Sequence, residues 1–171
     1  STDGILCVNS PQAKLLAGNG CAVAWNGTMW VAVGSGYAIR SADGKTWQTS
    51  STGGFSTNGR GLAWNGTMWV AVGVDTSANM QFSYDAITWA PVLTGAFSVS
   101  ANAVAWNGSI WVAVGKDTNS ASSIKYSYDG LNWLNSQSGG FTDSGNTVAW
   151  YGTSERWMVG GSAANGTGSI Q

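Results

Sequence analysis

The chain has 171 residues, of which 9% are charged, with a net charge of −1 and no histidine. A near-neutral chain lacks the basic footprint that nucleic acid or an acidic membrane surface requires, so neither is an expected partner. Without histidine the commonest general base and the commonest zinc ligand are both missing, so no metal or other cofactor is expected.

No apolar run reaches the ~18 to 20 residues of a membrane-crossing helix, and nothing at the start has the form of a signal peptide. The chain opens on Ser1 rather than Met, as a processed product or an excised fragment would.

One phrase dominates the chain. AWNGTMWVAVG runs from Ala24 to Gly34 and again, unchanged, from Ala63 to Gly73, then returns as AWNGSIWVAVG over Ala105–Gly115 and as AWYGTSERWMVGG over Ala149–Gly161. A second phrase alternates with it: STDGILC at Ser1, SADGKTW at Ser41, SYDAITW at Ser83 and SYDGLNW at Ser127. Cutting before these serines gives four units, 1–40, 41–82, 83–126 and 127–171, which together make one domain of four whole repeats.

In chain order, each unit begins with the Asp-containing turn and a short outer strand. A crossing follows, with an apolar anchor nine residues before the first Trp of the long phrase: Leu16, Phe55, Phe97 and Phe141. Next comes a hairpin. In unit one, Ala22–Trp25 and Thr28–Val33 flank Asn26-Gly27, which predicts a two-residue type I′ turn with Val23 opposite Trp30. One sheet face then carries Val23, Trp25, Trp30 and Ala32, and the other Ala22, Ala24, Met29, Val31 and Val33.

Both faces are apolar, and no helix-period segment exists to cover either. The cover must be other copies of the same sheet, bulky Trp face against small Ala face. Four short strands in about 42 residues, arranged radially, make a β-propeller of four-stranded antiparallel blades.

The chain starts in the turn before an outer strand and stops at GSIQ, just before the missing turn. The N-terminal outer strand is therefore expected to complete the last blade and close a four-bladed ring within the chain. The alternative is that the same two ends join different molecules, giving a larger ring or an open filament.

SADGKTW, SYDAITW and SYDGLNW resemble the Asp-box, or bacterial neuraminidase repeat, of sialidases and many non-enzymatic propellers. The motif is one residue shorter than the usual form, Ala86 stands in place of Gly, and Cys7 in place of Trp. The resemblance implies that Ser1, Asp3, Ser41, Asp43, Ser83, Asp85, Ser127 and Asp129 are structural and lie at the blade rim. It does not carry an active site: a sialidase needs three arginines, a Tyr nucleophile and a carboxylate partner, whereas Arg40, Arg60 and Arg156 fall at different repeat positions and Glu155 is the only glutamate. No enzyme is expected.

Candidate ligand residues lie in the loops opposite the Asn-Gly turns. After the anchors come Asn58, Arg60, Asn102 and Asn146, and Asp75 and Asp117 recur in the other loop. Amides and carboxylates make paired hydrogen bonds to sugar diols, so a lectin-like module binding a glycan or glycoprotein is the expected function. The alternative is a structural, self-assembling unit of a surface layer, fibre or virion. Trp157, in the hairpin that breaks the pattern, is the candidate for stacking on a sugar ring; the other tryptophans are read as blade packing.

Asn26, Asn65, Asn107 and Asn165 fit the N-glycosylation acceptor, but the hairpin turn already accounts for the Asn-Gly of the first three and is the preferred reading there, whereas Asn165 lies outside that turn. Cys7 and Cys21 are expected as unpaired thiols, and the expected setting is extracellular or surface-exposed.

Overall fold

The computed structural model describes Leu16 and residues 20–118, 122–163 and 168–170. Its strands form four antiparallel sheets that follow one another along the chain. Sheet 1 holds β1 (Gly20–Trp25), β2 (Trp30–Gly34), β3 (Ile39–Ser41) and β4 (Gln48–Thr49). Sheet 2 holds β5 (Asn58–Trp64), β6 (Trp69–Val74), β7 (Met80–Ser83) and β8 (Ala90–Pro91). Sheet 3 holds β9 (Ser100–Trp106), β10 (Trp111–Lys116), β11 (Ile124–Ser127) and β12 (Leu134–Asn135), and sheet 4 holds β13 (Ser144–Tyr151), β14 (Arg156–Ser162) and β15 (Gly168–Ile170).

Each of the first three sheets takes its fourth strand from just beyond the next unit's Asp-containing turn. The N-terminal stretch expected to supply the fourth strand of sheet 4 lies outside the described residues, as do Ser1, Asp3 and Cys7.

The first strands β1, β5, β9 and β13 pack in sequence, and the sheets fan out from them as the blades of a propeller. The Ala/Val face of one sheet covers the Trp face of the next. Ala22, Ala24, Met29, Val31 and Val33 meet Leu62, Trp64, Trp69 and Ala71. Ala63, Met68, Val70 and Val72 meet Val104, Trp106, Trp111 and Ala113, while Ala103 and Val114 meet Val148 and Val159. Within each Trp face the two rings are tilted against each other across the hairpin at 4.9–5.1 Å, a favoured aromatic geometry. The anchors Phe55, Phe97 and Phe141 wedge against Gly73, Gly115 and Gly161, where a Cβ would collide with the ring.

Two expectations are corrected. The Asn-Gly hairpin is a four-residue loop, with Trp25 paired to Trp30 and Ala24 to Val31. Only Gly27 has positive φ, and Asn26 instead uses its side-chain oxygen to accept the N–H groups of Thr28 and Met29 at 2.9 and 2.7 Å. Relative to the two-residue register the partner strand slides by two positions, so every side chain keeps its face.

The second correction concerns closure. Among the described residues β1 and β13 share no extensive contact, so the fourth sheet is not packed onto the first. The end faces show it. Trp69 and Trp111 are fully buried, whereas Trp30 is 37% and Val23 59% exposed; Val31 and Val70 are fully buried, whereas Met158 at the same repeat position is 45% exposed.

The Asp-containing turns are locked locally. In SADGKTW the Ser41 hydroxyl donates to Asp43 at 3.0 Å and accepts the Gly44 N–H, while Asp43 accepts the N–H groups of Lys45 and Thr46 at 2.8 and 2.7 Å. The Ser83/Asp85 and Ser127/Asp129 turns repeat this pattern. Ala86 holds the glycine position at φ 57°.

The buried and end-face tryptophans differ in cost when removed. Trp111→Ala is expected to lose roughly 3–5 kcal/mol, as for a buried aromatic, and Trp30→Ala less than half as much, measured by denaturant unfolding.

Candidate ligand-binding surface

The first strand of every sheet carries a β-bulge at the same repeat position. Pairing skips between Gly20 and Ala22, Gly59 and Gly61, Ala101 and Ala103, and Gly145 and Thr147. The unpaired residues are therefore Cys21, Arg60, Asn102 and Asn146. A bulge frees one residue from the ladder's alternation and re-aims its side chain. Here it turns Arg60, Asn102 and Asn146 out of the two apolar faces along three successive inner strands.

The row is linked from blade to blade. Arg60 donates through Nη1 to Asn102 Oδ1, and Asn102 Nδ2 donates to Ser144 Oγ at 2.9 Å and to the Gly145 carbonyl at 2.7 Å. Arg60 and Asn146 are exposed and Asn102 is half-buried. Asn58, at the start of β5, is half-buried beside the row.

The two loop aspartates do not join this row. Asp75 accepts the N–H groups of Ser56, Ser77 and Ala78 and both serine hydroxyls. Partial burial opposes its ionisation, but the hydroxyls of Ser56 and Ser77 and the amides of Ser56 and Ala78 outweigh it and hold the carboxyl well below the usual range. Asp117 is buried, accepts the N–H and hydroxyl of Ser98, and pairs with the buried Lys125 at 2.8 Å. Lys125 also donates to Asn135 and lies 5.0 Å above the Phe97 ring. Both aspartates stitch the loop after a second strand to the crossing before the first strand of the same sheet.

Trp157 occupies the position of Trp69 and Trp111, paired with Trp150. It is half-buried and borders a cleft of about 370 Å³ between sheets 3 and 4, with Ile110, Tyr126 and Ser138. A second cleft, about 420 Å³, opens between sheets 1 and 2 beside Tyr37, Ser56, Asp75 and Gln81. Tyr37 is 53% exposed there, and its place at the cleft has no signal in the sequence, since SGYAIR has no counterpart in the longer loops of the later units.

The side-chain oxygens of Asn26, Asn65 and Asn107 serve their own turns, while Asn165 lies outside the described residues. Among the described residues no three His, Cys, Asp or Glu side chains cluster as metal ligands would.

No family model matches the chain, and no curated protein does. Solved structures of similar fold include two computationally designed proteins. Ika4 is 14% identical, with a TM-score of 0.60 over 91% of this chain and 94% of that one. Ika8 is 17% identical, with a TM-score of 0.58 over 89% of this chain and 45% of that one, so the chain spans under half of Ika8's length. At these identities the likeness is one of fold.

The depressed carboxyls make stability acid-sensitive. Amide bonds from Thr46 and Lys45 hold Asp43 below its ordinary value; at Asp129 slight burial works the other way, but the Asn132 and Leu131 amides prevail. A group lowered in the folded state contributes stability above its unfolded pKa of about 3.9 and loses it as pH falls. The melting temperature should hold from pH 8 to 5 and drop between pH 4 and 2, with a smaller drop in Asp129→Asn, as followed by circular dichroism.

Proposed function

We propose that the chain is a non-catalytic binding module, a propeller of the Asp-box kind, whose bulged row takes a hydroxyl-rich ligand of the carbohydrate class. The observation that carries this reading is the recurrence of the bulge. Arg60, Asn102 and Asn146 project from three consecutive inner strands, where the rest of the repeat spends its side chains on packing.

Amide and guanidinium groups present the adjacent donors and acceptors that sugar diols satisfy. The Arg60–Asn102–Ser144 links hold the row in place before a ligand arrives, which lowers the ordering cost of binding. A free guanidinium edge also favours acidic sugars over neutral ones. Recurrence along the strands suits a repeating glycan, on which weak contacts add through avidity. Such a ligand fits an extracellular or surface-exposed protein.

Catalysis has little to work with. Arg40 is occupied by the Thr49 carbonyl and Gln48, Arg156 lies on the outer face of sheet 4, and Glu155 sits at a hairpin tip. The arginines do not converge on one carboxylate-binding point. The second reading, a structural unit that assembles with its own copies, draws support from the uncovered faces of sheets 1 and 4.

A glycan array followed by calorimetry tests the ligand reading. Asn146→Ala and Arg60→Ala alter exposed side chains, and each should weaken binding about three- to tenfold, the share of one or two hydrogen bonds. The reading fails if no glycan class binds, or if binding survives both substitutions unchanged.

A further inference from the structure

Three internal interfaces show how this repeat covers itself: the Ala/Val face of each sheet lies on the Trp face of its successor. Among the described residues one face of each kind is left unmatched. Sheet 1 presents Val23, Trp25 and Trp30, respectively 59%, 43% and 37% exposed, and sheet 4 presents Ala149 and Met158 on the opposite kind of face. Leu16 packs at one side of the sheet 1 face, against Ala32 and Ile39, and leaves those three side chains open.

We propose that the occupant of each end face is a second copy of this chain, docked head-to-tail, with sheet 4 of one copy laid on sheet 1 of the next by the same step that relates neighbouring sheets within the chain. The contact is heterologous, so every copy has one face of each kind to offer, and two copies are the fewest that satisfy all faces in a closed ring.

The one charged substitution on the sheet 4 face fits this step. Arg156 occupies the repeat position held by Met29, Met68 and Ile110. Met68 lies over Gly130 in the turn of the following sheet, where a Cβ would sit 3.2 Å from its Cε. Carried across to the next copy, the same step sets Arg156 over Gly44, beside the carboxylate of Asp43. That carboxylate is exposed and held in its charged form by its turn. A cation appears on the covering face where the covered face carries an anion.

This inference stands whether or not the bulged row binds a glycan, and it gives the assembly reading a defined contact. Val23→Asp and Met158→Asp each place a charge on one end face at a position open to solvent in the single chain, so each variant folds, and each melts as the natural chain does at concentrations too low for association. Light scattering after size exclusion at about 100 µM, a concentration that reveals contacts of micromolar affinity, gives the masses.

The natural chain should run as a multiple of 17.6 kDa. Each variant alone should run at the single-chain mass, because every contact between identical variants includes the altered face. An equal mixture of the two should recover a two-chain species, joined through the one intact pair of faces. A natural chain that stays single at this concentration overturns the proposal. So does a variant that still self-associates, which would mean a face docking on itself, or a mixture that does not recombine.

Discussion

A sheet that is apolar on both sides cannot stand alone in water, and the described residues of this chain are built into such sheets. Burying apolar surface, worth about 25 cal/mol per Å², is the dominant gain available to it, and among the described residues the cover for each sheet is another repeat. Radial stacking follows from that, and so does the composition: Ala and Val on one face, paired Trp on the other, Asn-Gly and Ser-x-Asp turns between. The outcome shows in the contrast between Trp69 and Trp111, which lose all contact with solvent, and Trp25 and Trp30, which no other sheet among the described residues covers.

Much of this was legible in the residues because it is periodic. The two repeated phrases, the two-faced hairpin and the offset by which each of the first three sheets borrows its last strand can be read from spacing alone. The hairpin register could not, because Asn26 can enter a type I′ turn or bond its own following amides, and the letters are the same either way. The two-residue slide did no harm to the face assignment, which depends only on parity. Closure was illegible for a different reason. It depends on the angle between successive sheets, which no sequence pattern encodes.

The candidate surface was legible in part. Asn58, Arg60, Asn102 and Asn146 stand out in the sequence as polar residues following an anchor, and the bulge that joins three of them into a row is a feature of pairing, invisible in the letters. Asp75 and Asp117 carried the same polar signal but turn inward: one is enclosed by serine and amide donors, the other by Ser98 and Lys125. In a chain with few charges, most carboxylates go to fixing loops that hydrophobic contact cannot fix. Seven aspartates and one glutamate leave little for chemistry once the turns are served.

The central claim, that sheets are shielded by neighbouring sheets in a fixed order of faces, is open to a direct measurement. Hydroxyl-radical footprinting read by mass spectrometry reports the solvent access of each tryptophan separately. In dilute protein, Trp69 and Trp111 should be the most protected indoles and Trp25 and Trp30 the most oxidised, with Trp157 between them. Oxidation of Trp69 and Trp111 as fast as Trp25 and Trp30 would mean that the sheets do not stack as described.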